Sequence, residues 1–170
     1  MVAAAILSVL PLCLLFAALT DLFTLTIPNR ISVILLSAFI ALAPLAGLGI
    51  GQVGLHIAAS ALVFAVCFSL FAVNVMGGGD AKLLTTSALW FGFNASLATF
   101  LLYVSVFGGL LTVAILLLRS KENSILAAGI PVPSLLLTAK KIPYGIAIAL
   151  GGFAAYPSSP LMQLAFAQLS

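Results

Sequence analysis

Long runs of apolar residues, separated by short polar or glycine-rich breaks, extend along the whole chain. The runs are continuous rather than alternating, which argues against a membrane β-barrel. The pattern predicts an all-α, polytopic membrane protein with about six transmembrane helices, because each crossing needs about 20 apolar residues. We expect these helices at residues of about 2–27, 31–48, 55–75, 80–93, 96–118 and 142–156.

Each break between the runs carries residues that stop a helix. Pro28 follows the first run, glycines mark residues 47–54, and Asn94 separates the fourth run from the fifth. The polar, proline-bearing segment 119–141 is expected on the cytoplasmic surface of the membrane, and the tail 161–169 at the interface. These breaks leave room for a single membrane domain over residues 1–170.

The composition supports a membrane protein and excludes several other classes. The chain is 64% hydrophobic and 5% charged, whereas a soluble domain is about 45–50% apolar and ~25% charged. The N-terminus lacks the basic region of a cleavable signal peptide, so we interpret the first run as a spanning helix. A formal charge of +3 does not indicate a nucleic-acid partner.

The basic residues indicate the orientation in the membrane. All of them fall in the breaks after predicted helices 1, 3 and 5, which lie on one side of the bilayer. The positive-inside rule makes that side cytoplasmic and puts the N-terminus outside. The residues concerned are Arg30, Lys82, Arg119, Lys121, Lys140 and Lys141.

Two aspartates in this apolar chain are the leading functional candidates, because ionisable groups in membrane segments are costly and usually functional. Asp21 could be a simple interfacial charge at a helix end. We expect a functional role instead, because the predicted helix continues to Ile27 and because an anion near a helix C-terminus interacts unfavourably with the helix dipole. Asp80 could be an N-cap. Its three preceding glycines, Gly77, Gly78 and Gly79, favour a site, because they allow close backbone approach.

Other polar residues have simpler interpretations. Lys82 could lie at the cytoplasmic membrane interface, or its charge could shift the pKa of Asp80 or orient a substrate. Asn29 could be a turn residue, or it could form a hydrogen bond near the site. His56 has no catalytic partner in its segment. The chain contains no zinc-binding HExxH, no phosphate-binding P-loop and no GxSxG nucleophile motif. We therefore expect no metal and no cofactor.

The two aspartates could act together as an acid–base pair. Two carboxylates held close share one proton, so one can take a proton from water while the other donates to a peptide carbonyl. The apparent pKa values would belong to the pair, and the sequence does not assign a role to either residue.

Three short motifs resemble those of the type IV prepilin peptidases, which are intramembrane aspartic proteases. Residues 77–83, GGGDAKL, resemble the family's GxGD signature, and residues 21–29, DLFTLTIPN, resemble its first-aspartate motif with Pro28 and Asn29. Residues 141–145, KIPYG, resemble the motif before its last helix, with Pro143, Tyr144 and Gly145. The resemblance implies that Asp21 and Asp80 are the catalytic residues.

The resemblance also implies a function and a location. The expected activity is removal of the basic leader from prepilins or pseudopilins at the cytoplasmic face of the bacterial inner membrane, for pilus biogenesis or protein secretion. The longer enzymes of the family carry a cytoplasmic insertion with paired CxxC motifs and also N-methylate the product. This chain lacks that insertion and resembles the short form of tight-adherence (Flp-type) systems, so no methyltransferase activity is expected.

Three alternatives remain open at this level. A small proton-coupled transporter would use Asp21 and Asp80 as a proton relay, although both acids lie at the membrane edge and no inverted repeat is evident. A noncatalytic scaffold would tolerate asparagine at either position. A preflagellin peptidase would share the chemistry and differ in its substrate.

Overall fold

The computed structural model describes residues 1–121 and 141–168, and within these ranges the chain forms helices and no β-strand. The all-α prediction is confirmed for this part of the chain. The helices are α1 (Val2–Thr24), α2 (Asn29–Leu45), α3 (Ile50–Ala72), α4 (Gly78–Phe91), α5 (Ala95–Ser120), α6 (Tyr144–Ala155) and α7 (Pro160–Ala167), and a 3₁₀ turn, Tyr156–Ser158, joins the last two.

Helix length divides these elements into two groups. Three helices, α1, α3 and α5, have 23, 23 and 26 residues and are long and apolar enough to cross a membrane. The helices α2, α4 and α6 have 17, 14 and 12 residues. At a rise of about 1.5 Å per residue they fall short of a hydrocarbon core about 30 Å thick. Among the described residues, three helices are therefore candidate membrane spans, and six spans remain a prediction.

The short helices α4 and α6 lie inside the bundle. Helix α6 packs between α1 and α5, and α4 packs against α2, α3 and α6. Most of their residues are buried, whereas the long helices expose many large apolar side chains. This arrangement fits a bilayer, where lipid-facing surfaces stay apolar and small residues allow inner helices to approach closely.

Helix α1 ends earlier than the sequence predicts. We expected it to continue to Ile27, but Leu25 adopts a left-handed conformation with φ 51° and its N–H donates to the Asp21 carbonyl. The Thr24 and Thr26 hydroxyl oxygens lie 2.7 Å apart in the same turn. Pro28 accounts for the non-helical conformation of Ile27, because the residue before a proline is disfavoured in a helix, and the left-handed Leu25 ends α1 two residues earlier.

Helices α2 and α4 begin earlier than predicted. Asn29 is the first residue of α2 rather than part of a turn, with Pro28 in extended conformation before it. Helix α4 begins at Gly78 after Gly77, so Asp80 is its third residue and does not occupy the N-cap position. Glycines at a helix start look like a loop in sequence, although only one of these three lies outside the helix.

The glycine-rich stretch 47–54 is also more helical than expected. Helix α3 begins at Ile50, where the Gln52 side chain accepts a hydrogen bond of 3.0 Å from the Gly49 N–H. This bond is a capping interaction at the N-terminus of α3, and the surrounding glycines make it hard to recognise in the sequence.

The last apolar segment of the chain is divided into two helices. Proline residues break α6 from α7, and the Ser159 side chain accepts from the Met162 N–H at the start of α7. Helix α7 packs on α1 and buries Leu161 and Ala165. The expectations for segment 119–141 fall on residues 122–140 and lie outside the described residues.

One end of the bundle, here called the aromatic end, is built from large buried rings: Phe39, Trp90, Phe91, Phe100 and Tyr156. Phe91 and Phe100 stack with their centroids 4.4 Å apart. The Trp90 Nε1–H donates to the Leu35 carbonyl at 3.1 Å, and the Tyr156 hydroxyl donates to the Ile6 carbonyl at 2.6 Å. These bonds tie α4 to α2 and the end of α6 to α1.

Candidate active site

The opposite end of the bundle, here called the aspartate end, contains Asp21 and Asp80. Asp21 lies in the last turn of α1, and Asp80 lies in the first turn of α4. Their side chains are close enough for the two charges to interact. The structure therefore brings together two residues that are 59 positions apart in the chain.

Asp21 is fixed by the start of a second helix. Its Oδ2 accepts a hydrogen bond of 2.7 Å from the Gly145 N–H, and the pair is buried. Gly145 is the second residue of α6, so its N–H has no partner within its own helix. Near the C-terminus of α1, the Asp21 carboxylate interacts unfavourably with the dipole of that helix. The fold compensates because it places the same carboxylate at the positive N-terminus of α6.

Asp80 is less completely bonded. It occupies the first turn of α4, where the helix dipole also favours a negative charge. Its Oδ1 is buried and has no hydrogen-bond partner among the described residues. Both inner helices therefore begin beside a carboxylate, and one oxygen of the pair is left unsatisfied.

A side chain at any of the three glycines before Asp80 would crowd a neighbouring residue. A Cβ on Gly77 would lie 2.7 Å from Asp80 Oδ2, one on Gly78 would lie 3.2 Å from the Phe71 ring, and one on Gly79 would lie 3.2 Å from Ile27 Cβ. The expectation that these glycines permit close approach agrees with these distances. It is local packing, rather than an open loop, that excludes side chains here.

The turn that leads into α6 supplies the other wall of the site. Pro143 is buried and precedes the helix. The Tyr144 ring packs on Gly108 of α5, where a Cβ would lie 2.7 Å from the ring. A Cβ on Gly145 would lie 2.9 Å from Asp21 Oδ2 and 3.1 Å from Ile27 Cδ1. All three residues of this motif thus position the start of α6 against Asp21.

Lys82 and Asn29 meet each other rather than the carboxylates. The Lys82 Nζ donates to Asn29 Oδ1 at 3.0 Å on the exposed surface. Residues two apart on a helix do not share a face, so Lys82 points away from Asp80. The lysine whose charge acts on both carboxylates is Lys141, and its carbonyl accepts a 2.9 Å bond from the Arg119 guanidinium.

Two residues beside the carboxylates had no assigned role in the sequence analysis. Ile27 belongs to the first-aspartate motif and Lys141 to the last motif, so membership of these motifs was the sequence feature that could have identified both residues. Lys141 was counted only as a topology determinant, and Ile27 only as the end of a helix. Neither contact can be read from spacing, because each depends on how the loops fold back.

The arrangement can activate water between two carboxylates without a covalent intermediate. Among the described residues, no group of three or more His, Cys, Asp or Glu side chains could hold a metal ion. Cys13 and Cys67 are free thiols within α1 and α3. The chemistry supported by the described residues is therefore acid–base chemistry of the aspartate pair.

Comparison with known proteins adds a family to this geometry. The model of the Type IV leader peptidase family matches residues 8–113, a range that contains both Asp21 and Asp80. No curated protein and no solved structure matches the chain. Since the matched range covers more than half of its length, the chain belongs to the Type IV leader peptidase family.

Proposed function

We propose that this protein removes the leader peptide of type IVb (Flp-type) prepilins or pseudopilins by aspartic-acid catalysis at the cytoplasmic face of the bacterial inner membrane. Membership of a leader peptidase family supports a protease acting on a protein substrate. The observation that carries the catalytic assignment is the placement of two carboxylates beside the N-termini of the inner helices α6 and α4, close enough for their charges to interact. The family does not favour the transporter alternative.

The hydrogen bonds favour different roles for the two carboxylates. Asp21 accepts from a backbone N–H, which suits an ionised group. Among the described residues the buried Asp80 Oδ1 has no donor, so this carboxyl would be costly to charge. In our mechanism Asp21 takes a proton from water as the water oxygen bonds to the scissile carbonyl carbon. Asp80 gives its proton to the carbonyl oxygen. The tetrahedral intermediate, a gem-diol, then collapses: the C–N bond breaks, the proton held by Asp21 passes to the leaving amine, and one hydroxyl proton of the gem-diol returns to Asp80, which restores the starting state of the pair.

The charge distribution supports a cytoplasmic site. Every Lys and Arg in the described ranges lies at the aspartate end: near the starts of α2 and α4, at the end of α5 and before α6. The positive-inside rule then makes this end cytoplasmic. A substrate with a basic leader and an apolar helix would keep the leader in the cytoplasm while its helix lies among the bundle's apolar helices.

The test is cleavage of a purified Flp-type prepilin by the protein in lipid nanodiscs. Asp21→Asn and Asp80→Asn should each lower kcat by about 10²–10⁴-fold, the usual contribution of a general acid or base. The chain contains three acidic residues, so Glu122→Gln is a matched control that should retain activity. If either aspartate variant cleaves at the wild-type rate, the paired mechanism is wrong.

Two further substrates separate the finer parts of the proposal. If the protein cleaves a preflagellin in preference to the prepilin, the peptidase activity is supported and the assignment of Flp-type prepilins as the substrate is wrong. Labelled S-adenosylmethionine in the same reaction tests for methylation, and label on the new N-terminus would refute a protease-only activity.

A further inference from the structure

One side chain contacts the glycine that accompanies each carboxylate. Ile27, in the loop between α1 and α2, has its Cβ 3.2 Å from where a Cβ on Gly79 would stand, and its Cδ1 3.1 Å from where a Cβ on Gly145 would stand. Gly79 directly precedes Asp80, and Gly145 donates to Asp21. Ile27 therefore fills the gap between the starts of the two inner helices.

The loop that carries Ile27 is held on both sides. The left-handed Leu25 ends α1 and turns the chain back towards the bundle. On the far side of Ile27, Asn29 accepts the hydrogen bond from Lys82 of α4. Ile27 is partly buried and packs against the hydrophobic core, so its position is determined by the fold and not by lipid.

We propose that Ile27 is a positioning residue that sets the separation of the Asp21 and Asp80 carboxylates. The inference rests on the proposed function, since it assumes that the pair hydrolyses peptides. Removal of the side chain opens a space between Gly79, which precedes Asp80, and Gly145, which donates to Asp21, and water in excess of the reacting molecule enters polar cavities of this kind. Water raises the local dielectric and weakens the interaction between the two charges.

The groups that face the pair are known for each surrounding element. Lys141, before α6, acts on both carboxylates. Lys82 of α4 is bonded to Asn29, and Arg119 of α5 is bonded to the Lys141 carbonyl. The Ile27 side chain carries neither a charge nor a polar atom, so its replacement changes spacing and hydration without removing a charge.

The primary measurement does not require cleavage. The chain contains only two aspartates, so aspartate labelled with ¹³C at its side-chain carboxyl reports this pair alone in a pH titration followed by NMR or infrared spectroscopy. Wild type should titrate in two separated steps. In Ile27→Ala the separation should narrow by roughly one pH unit, the size of the interaction between coupled carboxylates. Ile34→Ala is the matched control, because Ile34 is 49% exposed on α2.

Cleavage kinetics provide the second readout. Ile27→Ala should lower kcat on prepilin by about 10²-fold with KM nearly unchanged, because small misplacements of reacting groups cost about that much. Ile27→Val should show the same changes to a smaller extent, and it replaces Ile27→Ala if that variant fails to insert. Titration steps and kcat equal to those of Ile34→Ala would overturn the inference. Failure of wild type to cleave prepilin would count against the proposed function, while the titration would still decide the role of Ile27.

Discussion

The two ends of the bundle use opposite kinds of residue. At the aromatic end, rings fill the interior and the polar atoms of His56, Trp90 and Tyr156 are each bonded to a backbone carbonyl. At the aspartate end, glycines line the contacts and Asp80 Oδ1 has no partner among the described residues. A buried polar atom without a partner costs about 1–3 kcal/mol. Thr85 and Ser87, further along α4, also have buried hydroxyl oxygens without a partner in the described part of the chain, but Asp80 has a second carboxylate close by. The comparison indicates that rings stabilise one end, whereas the other end holds the ionisable pair.

The same helices connect the two ends. Helix α4 begins with Asp80 and ends with Trp90, and α6 begins beside Asp21 and ends next to Tyr156. A helix anchored at one end holds its other end within a narrow range, which is what positioning of reacting groups requires. If this division is correct, substitutions at the aromatic end should change stability, and substitutions at the aspartate end should change rate.

The largest effect on stability is expected for Trp90→Ala. Trp90 is fully buried, so the substitution leaves a cavity and removes the hydrogen bond to the Leu35 carbonyl, and should cost about 3–5 kcal/mol in unfolding free energy. Unfolding in detergent micelles with increasing SDS measures this loss. Phe16→Ala, at a ring that is 57% exposed, is the matched control and should be nearly neutral.

The kinetics of the folded fraction decide what this result means. If Trp90→Ala lowers stability while kcat per folded molecule stays within a few-fold of wild type, the two ends are separable. A Trp90→Ala protein as stable as wild type would contradict the assignment of the aromatic end as the anchor.

The second effect concerns the aspartate end and should appear in the rate. A methyl group at Gly145 would lie 2.9 Å from Asp21 Oδ2, so Gly145→Ala must displace the carboxylate or the start of α6. We expect kcat on prepilin to fall by about 10²-fold. Gly109→Ala is the matched control, because a Cβ there has nothing within 4 Å, and it should retain full activity.

An active Gly145→Ala protein would show that the site tolerates movement of Asp21, and the contrast between the two ends would lose its physical basis. A protein that is inactive and also strongly destabilised would show that Gly145 serves the fold as well as the site.

The sequence revealed the class of fold and the two leading residues for clear physical reasons. Apolar runs identify membrane helices because charged groups are excluded from lipid, and the same exclusion makes Asp21 and Asp80 conspicuous. Helix ends were harder. The end of α1 depends on the left-handed Leu25, and a non-glycine residue gives little sign of that conformation.

The contacts that complete the site could not be read from the sequence. Gly145 is 124 residues from Asp21, and no local pattern links a backbone N–H to a carboxylate so distant. Ile27 looked like one more apolar residue of a helix. The span count relied on treating each apolar run as a crossing, whereas α4 and α6 are short helices enclosed by longer ones.

The smallest effect compares two lysines at the aspartate end. Lys82 is bonded to Asn29 on the surface, and exposed pairs contribute about 0–1 kcal/mol, so Lys82→Gln should change kcat and stability little. Lys141 acts on both carboxylates. Lys141→Gln removes a charge that favours the ionised pair, so the pH range of prepilin cleavage should move upward, with a change of a few-fold in rate at neutral pH. Comparison of the two pH–rate profiles tests this, and a larger shift for Lys82→Gln would mean that the lysine next to the GxGD-like motif, and not Lys141, supplies the positive charge at the site.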